Sequence, residues 1–168
     1  MSIYLPLFKA LNDADVKYVV VGGFATVLHG YARLTMAVDL MVDLAPQEAT
    51  RAMQTLESLG FKPRAPVPAA QFADAAKRQE WIEQKGMKVF SFHNPANPML
   101  TIDVFVQHPI PFTDLCARAE RMVIEGVPVY ICSIEDLITL KQQAGRPLDL
   151  LDIEKLRIIQ EKRKRGER

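Results

Sequence analysis

The stretch YVVVGGFATVLHG constrains the chain more than any other, because a β-branched run stops on two adjacent glycines and a helical spacing begins at once. Residues 17–21 have the density of β-branched and aromatic side chains that suits a strand. Gly22 and Gly23 end it, and Phe24, Val27 and Leu28 then recur at helical spacing up to the breaker Gly30. The expectation is a strand, a tight turn and a short helix. A second strand is predicted over residues 37–44, with Val38, Leu40 and Val42 on one face and Ala37, Asp39 and Met41 on the other. A diglycine turn lets backbone approach a ligand closely, and the free N–H groups of a helix start favour phosphate. The same pair serves equally well as a plain tight turn.

Pro46 suits the first turn of a helix running to Gly60. Residues 61–69 hold three prolines and read as a loop, and residues 70–86 return to helical character. Residues 87–93 and 100–106 read as antiparallel strands joined through NPANP. A helix follows over residues 112–122, then a hairpin or broken strand over 123–131. Ser133 and Asp136 form a capping-box pattern at the start of the next helix, and residues 147–165 form a final amphipathic helix with a basic end. This order predicts an α+β fold: one domain of 168 residues, a mixed-sheet core over about residues 1–110 and a helical part over about 111–168.

A hydrophobic fraction of 49% with 24% charged residues suits a soluble domain with one buried core, and the net charge of +1 offers no global attraction to nucleic acid or membrane. The longest early apolar run is short and interrupted by glycine, and no basic leader precedes it, so a cytoplasmic protein with no membrane partner is expected. Cys116 and Cys132 lack CxxC spacing and are expected to be free, buried thiols.

Asp39 and Asp103 each lie inside an apolar β run, AVDLMV and LTIDVFV, where a charge is costly unless it has a cationic partner or faces a cleft. On neighbouring strands, about 4.8 Å apart, they would jointly hold a divalent cation. Alternatively each pairs with a base such as Arg33 or Lys88, or sits on the solvent face of the sheet.

The run GGFATVLHGYARLTMAVDL, the later TIDVFV and the distal SIEDLITLKQQAGRPLDLLDIEKL together resemble the minimal nucleotidyltransferases of the DNA polymerase β-like superfamily, and among them the relatives of AbiEii-type toxins. The resemblance implies a nucleotidyltransferase fold, a Mg²⁺- or Mn²⁺-bound nucleoside triphosphate as substrate, and transfer of its nucleoside monophosphate to an acceptor hydroxyl. Residue by residue, it makes Gly22 and Gly23 the seat of the triphosphate, Asp39 the second metal-binding carboxylate, and Asp103 the third, beside the attacking hydroxyl. Arg33 becomes a phosphate contact or an ion-pair partner of a buried Asp. Lys141 and then Arg146 become the phosphate-reaching cations, or with Asp149 and Asp152 a salt-bridge cluster between the last two helices. His29 is expected to pack at a helix end.

The same alignment of motifs puts the first metal-binding carboxylate at position 37, where this chain has Ala37. Asp43 shares that strand face, but at about 3.3 Å per residue it stands about 13 Å from Asp39, too far to share a cation. Ala37 therefore admits three readings: an engineered inactivation, a natural pseudoenzyme, or a variant working with one cation held by Asp39, Asp103 and the substrate's phosphates. The alternative to an enzyme is a non-catalytic nucleotide- or partner-binding protein, or the toxin component of a toxin–antitoxin pair with a cognate partner. The acceptor is left open among RNA, protein and small molecules. The basic tail KRKRGER, residues 162–168, suits either an RNA backbone or a solvated helix end.

Overall fold

A computed structural model describes residues 2–35 and 37–166. Leu5–Asp13 forms α1, Tyr18–Val21 β1, Gly22–Leu28 α2, Val38–Val42 β2 and Pro46–Ser58 α3. Lys62–Pro63 forms β3, Ala75–Lys85 α4, Val89–His93 β4 and Thr101–Phe105 β5. Phe112–Arg118 forms α5, Glu120–Ile124 β6, Val127–Ile131 β7, Ile134–Ala144 α6 and Pro147–Lys164 α7. The seven strands make one mixed sheet in the order β3-β4-β5-β2-β1-β7-β6. β2 runs parallel to β5 and β1 parallel to β7, while the other pairs are antiparallel. The fold is thus α+β with a mixed sheet, as expected.

All four residues of β1 are buried, which is why its sequence reads as an unbroken apolar run rather than an alternation. β4 and β5 instead alternate buried and half-buried positions, so each presents one polar face. Two aromatic groups tie helices to this sheet. Trp81 stacks on Phe90 with ring centroids 5.0 Å apart, and Phe72 and Phe92 approach the same ring, fixing α4 and the short helical turn Ala69–Ala73 over β4. Phe24 meets Tyr4 at 5.3 Å and Phe8 at 5.9 Å, joining α1 to α2. Burying one such ring contributes about 1.5–3 kcal/mol.

Several local expectations are corrected. α1 has no counterpart in the sequence reading, although Pro6 in its first turn and buried Leu7, Phe8 and Leu11 give it a helical face. The proline-rich loop contains β3, a sheet edge where Pro63 needs no N–H. The helix expected over residues 70–86 is broken at Asp74, whose carboxylate caps α4 by accepting the N–H groups of Ala76 and Lys77. The helix expected over 112–122 stops at Arg118, because residues 120–131 form a hairpin around Glu125 and Gly126, both with positive φ. Ser133 does cap α6, but the Asp136 carboxylate does not return the bond, since Arg118 Nε donates to it at 2.9 Å. Cys132 is buried and free, whereas Cys116 is free and exposed. In the basic tail, residues 167 and 168 lie outside the described residues, and Arg163 is drawn to Glu120 and His29. Among the described residues no helix is long and apolar enough to cross a membrane.

Candidate functional site

The register of the central strands brings the two acids together. Asp39 on β2 stands opposite Asp103 on β5, Asp103 stands opposite Ser91 on β4, and Asp39 stands opposite Val21, the last residue of β1. Directly opposed residues share a sheet face, so the carboxylates lie side by side, next to the turn that starts α2. The Ser91 hydroxyl donates to Asp103 Oδ1 at 2.6 Å, which fixes that carboxylate and leaves Oδ2 to other partners. Among the described residues neither Asp39 nor Asp103 forms an ion pair, so the expected alternatives, Arg33 and Lys88, are not their partners.

Gly22 is built against Asp39. Its φ is +67°, and a Cβ there would fall 2.0 Å from Asp39 Oδ2. A Cβ on Gly23 would meet Thr35 Oγ1 at 2.8 Å and an Arg33 guanidinium nitrogen at 2.9 Å. The diglycine therefore lets backbone reach a carboxylate and a loop at once, and the Gly23 N–H bonds to Asp39. Burial, and after it the Asp103 charge, push the Asp39 carboxyl up to about 7, against the opposing pull of the Gly23 N–H, Lys141 and Arg146. Two carboxylates side by side on one sheet face are a donor set suited to a divalent cation.

The cations named by the sequence gather nearby. Arg33 grips Asp152 with two hydrogen bonds of 2.9 and 2.8 Å, and Lys141 Nζ donates to the same carboxylate at 2.7 Å. Arg146 Nε donates to Asp149 at 2.7 Å, and Lys141 stands 3.8 Å from Asp149. Burial raises the Asp149 carboxyl, but the hydrogen bonds from Arg146 outweigh it and hold the group below the ordinary range. Asp152 is fully buried, so its two cations offset a desolvation cost that the fold otherwise carries alone. The network locks the loop that carries Arg33 to α6 and α7. Arg146 differs from the rest in keeping its side chain 76% exposed.

A cavity of about 590 Å³ opens beside Asp103, with Ala37, Thr35, Arg33 and Arg64 also in its lining. Ser91 and Arg64 are missed by sequence reasoning. Ser91 is the polar centre of VFSFH, yet its role depends on the β4–β5 register, and Arg64 sits in the proline-rich stretch read as loop. His29 is buried at the end of α2, its Nε2 2.8 Å from the Cys132 carbonyl, which fits a packing role. Asp43 accepts the Ala45 N–H at 2.9 Å ahead of α3.

A family profile described as "Nucleotidyltransferase of unknown function (DUF6036)" matches residues 7–162. No curated protein matches the chain. Among solved structures, an antigenic nucleotidyltransferase-like protein from Paracoccidioides brasiliensis superposes with a TM-score of 0.60 at 19% identity, covering 92% of this chain and 73% of that one. The lincosamide antibiotic adenylyltransferase LnuA, bound to lincomycin, gives a TM-score of 0.60 at 14% identity, over 91% of this chain and 93% of its own. ANT(2")-Ia in complex with adenylyl-2"-tobramycin gives 0.54 at 15% identity, over 94% and 93%. At these identities the likeness is one of fold.

Proposed function

Because this chain belongs to the DUF6036 family of nucleotidyltransferases, we propose that it transfers a nucleoside monophosphate from a nucleoside triphosphate to an acceptor hydroxyl, with Asp39 and Asp103 as its working carboxylates. The single observation that carries this reading is the cross-strand pairing of Asp39 with Asp103 beside the diglycine turn. In the reaction the acceptor oxygen forms a bond to the α-phosphorus, the bond from that phosphorus to the α,β-bridging oxygen breaks, and pyrophosphate leaves. Asp103 takes the hydroxyl proton, and the Ser91 hydroxyl holds its carboxylate in place for this. Gly22 and Gly23 give the triphosphate a backbone surface without side chains. Arg146, exposed and close enough to Asp39 to act on its charge, is the cation best placed to meet a phosphate, with Lys141 behind it.

Mg²⁺ or Mn²⁺ fits this site, since among the described residues the two carboxylates on one face lack an ion-pair partner, and burial and then the Asp103 charge push the Asp39 carboxyl up. Among the described residues no three His, Cys, Asp or Glu side chains are grouped to hold a metal alone, so further ligands would come from phosphates and water. Such a cation supplies neutralisation of the charge on the reacting and leaving phosphates.

Ala37 favours a second reading, a protein that binds nucleotide or a partner without catalysis, including a toxin-like component that needs a cognate protein. One experiment separates them. The chain and its Ala37→Asp variant are incubated with α-labelled ATP, CTP, GTP and UTP, Mg²⁺ or Mn²⁺, and pools of RNA, protein and small hydroxyl compounds. Label transfer with pyrophosphate release, lost in Asp103→Asn, is the expected outcome. Metal-dependent nucleotide binding with no transfer by either form would leave the second reading in its place.

A further inference from the structure

The cavity against Asp103 shares Arg33 with the ion-pair network of Asp149 and Asp152 but is otherwise lined differently. Its volume of about 590 Å³ lies within the roughly 300–1,000 Å³ that small organic ligands occupy. Its walls are mainly apolar: Tyr4, Phe24, Val27, Leu34 and Met99. The Tyr4 hydroxyl donates to the Met99 carbonyl at 3.2 Å, tying the N-terminal segment to the β4–β5 connection along one wall. Leu34 is 84% and Met99 72% exposed, so two large apolar side chains at the cavity face water unless a ligand covers them.

Among the described lining residues the charged groups are few and differ in sign. Arg33 is neutralised by Asp152, and Asp103 is bonded to Ser91. Arg64 lines the same cavity, is exposed, and among the described residues has no carboxylate partner. Among the described residues, Gly22, Asp39, Lys141 and Arg146 are not part of this lining whereas Asp103 and Ala37 are, so the cavity adjoins the paired acids without including the residues assigned to the triphosphate.

We propose that this cavity binds the acceptor, and that the acceptor is a small hydroxyl compound with an apolar or aromatic body and an anionic group that meets Arg64. Its role as acceptor rests on the nucleotidyl-transfer reading; its ligand class rests on the lining alone. The apolar walls take the body of such a molecule, Asp103 faces its hydroxyl and Arg64 its negative charge. An ammonium-rich acceptor would meet one free guanidinium and a single carboxylate, and an RNA backbone would find one free cation where several are needed.

The test uses a matched set of probes: 4-(hydroxymethyl)benzoate, 4-(hydroxymethyl)benzylamine and 4-methylbenzyl alcohol, followed through methyl resonances of Met99, Leu34 and Val27 in the whole chain. The benzoate is expected to shift these methyls and to bind about fivefold more tightly than the neutral alcohol, with the amine weakest. Arg64→Ala should erase the preference and Arg64→Lys should keep part of it, and because Arg64 is exposed both variants retain the fold. Equal or tighter binding of the amine, an unchanged preference in Arg64→Ala, or displacement of the benzoate by a non-hydrolysable ATP analogue with Mg²⁺ would each overturn the proposal. Since binding is read without turnover, a chain that binds the benzoate and transfers nothing loses the transferase reading but keeps this ligand class.

Discussion

Asp39 and Asp103 stand directly opposite each other across the parallel β2–β5 pair, and the nearer glycine, Gly22, leaves no room for any side chain between backbone and the Asp39 carboxylate. A sheet face is ordinarily filled at such a position by an apolar or neutral residue. Here two acids share it, and the first consequence is a pH dependence of stability.

The Asp39 carboxyl is raised to about 7 by burial and by Asp103, above its ordinary value of 3.8. Between those two values the folded chain holds a proton that the unfolded chain has released, so this group's contribution to stability falls as pH rises from about 4 to about 7 and then levels off. The effect is on the order of a few kcal/mol. Calorimetric Tm of the metal-free chain at pH 5 and pH 8 should therefore fall more steeply in the native protein than in Asp39→Asn, which should be the more stable of the two at pH 8. Parallel Tm–pH curves for the two would show that Asp39 titrates normally.

Gly22→Ala combines a strained backbone at φ +67° with a Cβ 2.0 Å from Asp39 Oδ2. Either the turn or the carboxylate must move. The expected loss is about 1–3 kcal/mol in urea unfolding, together with weaker Mn²⁺ binding. Unchanged unfolding and unchanged Mn²⁺ affinity would mean that the turn and Asp39 are not packed as described.

These two sites show what a sequence carries and what it does not. The strand–diglycine–helix unit is legible because Val19, Val20, Val21, Gly22 and Phe24 encode it locally, in side-chain branching and spacing. Asp39 and Asp103 stand out singly because each interrupts an apolar strand. Their adjacency is not legible, since 64 positions separate them and register is fixed by packing across the whole sheet. Ser91 and Arg64 become meaningful only after that register is known. A hairpin or broken strand is legible over residues 123–131, but the start of β6 is not: its Glu-Arg-Met segment has a helix-like composition, and pairing with β7 overrides it.

The ion-pair network divides its members by burial. Asp152 is fully buried between Arg33 and Lys141, so Asp152→Asn should destabilise the chain by about 3–5 kcal/mol, with little relief from added salt. Arg146 is mostly exposed, and Arg146→Ala should change stability by under about 1 kcal/mol. If Arg146 meets a phosphate, calorimetry should nonetheless show a several-fold loss of ATP affinity in that variant at low salt. A variant that loses stability but not ATP affinity would make Arg146 a purely structural partner of Asp149.

Position 37 offers the sharpest test of the cation, because Ala37 lies two residues before Asp39 and lines an open cavity. An added carboxylate there has space, so overpacking is not expected. In the absence of metal, a third negative charge beside Asp39 and Asp103 should raise the Asp39 carboxyl further and lower Tm at pH 8. Millimolar Mn²⁺ should then restore stability in Ala37→Asp by more than it adds to the native chain, since a third ligand strengthens binding and binding to the folded state alone raises Tm. Affinity read by Mn²⁺ paramagnetic resonance should rise by at least about tenfold, a change of about 1.4 kcal/mol. A variant that is destabilised at pH 8 yet gains nothing from Mn²⁺ would show that the paired acids are not arranged to hold a cation, and the transferase reading would fall with them.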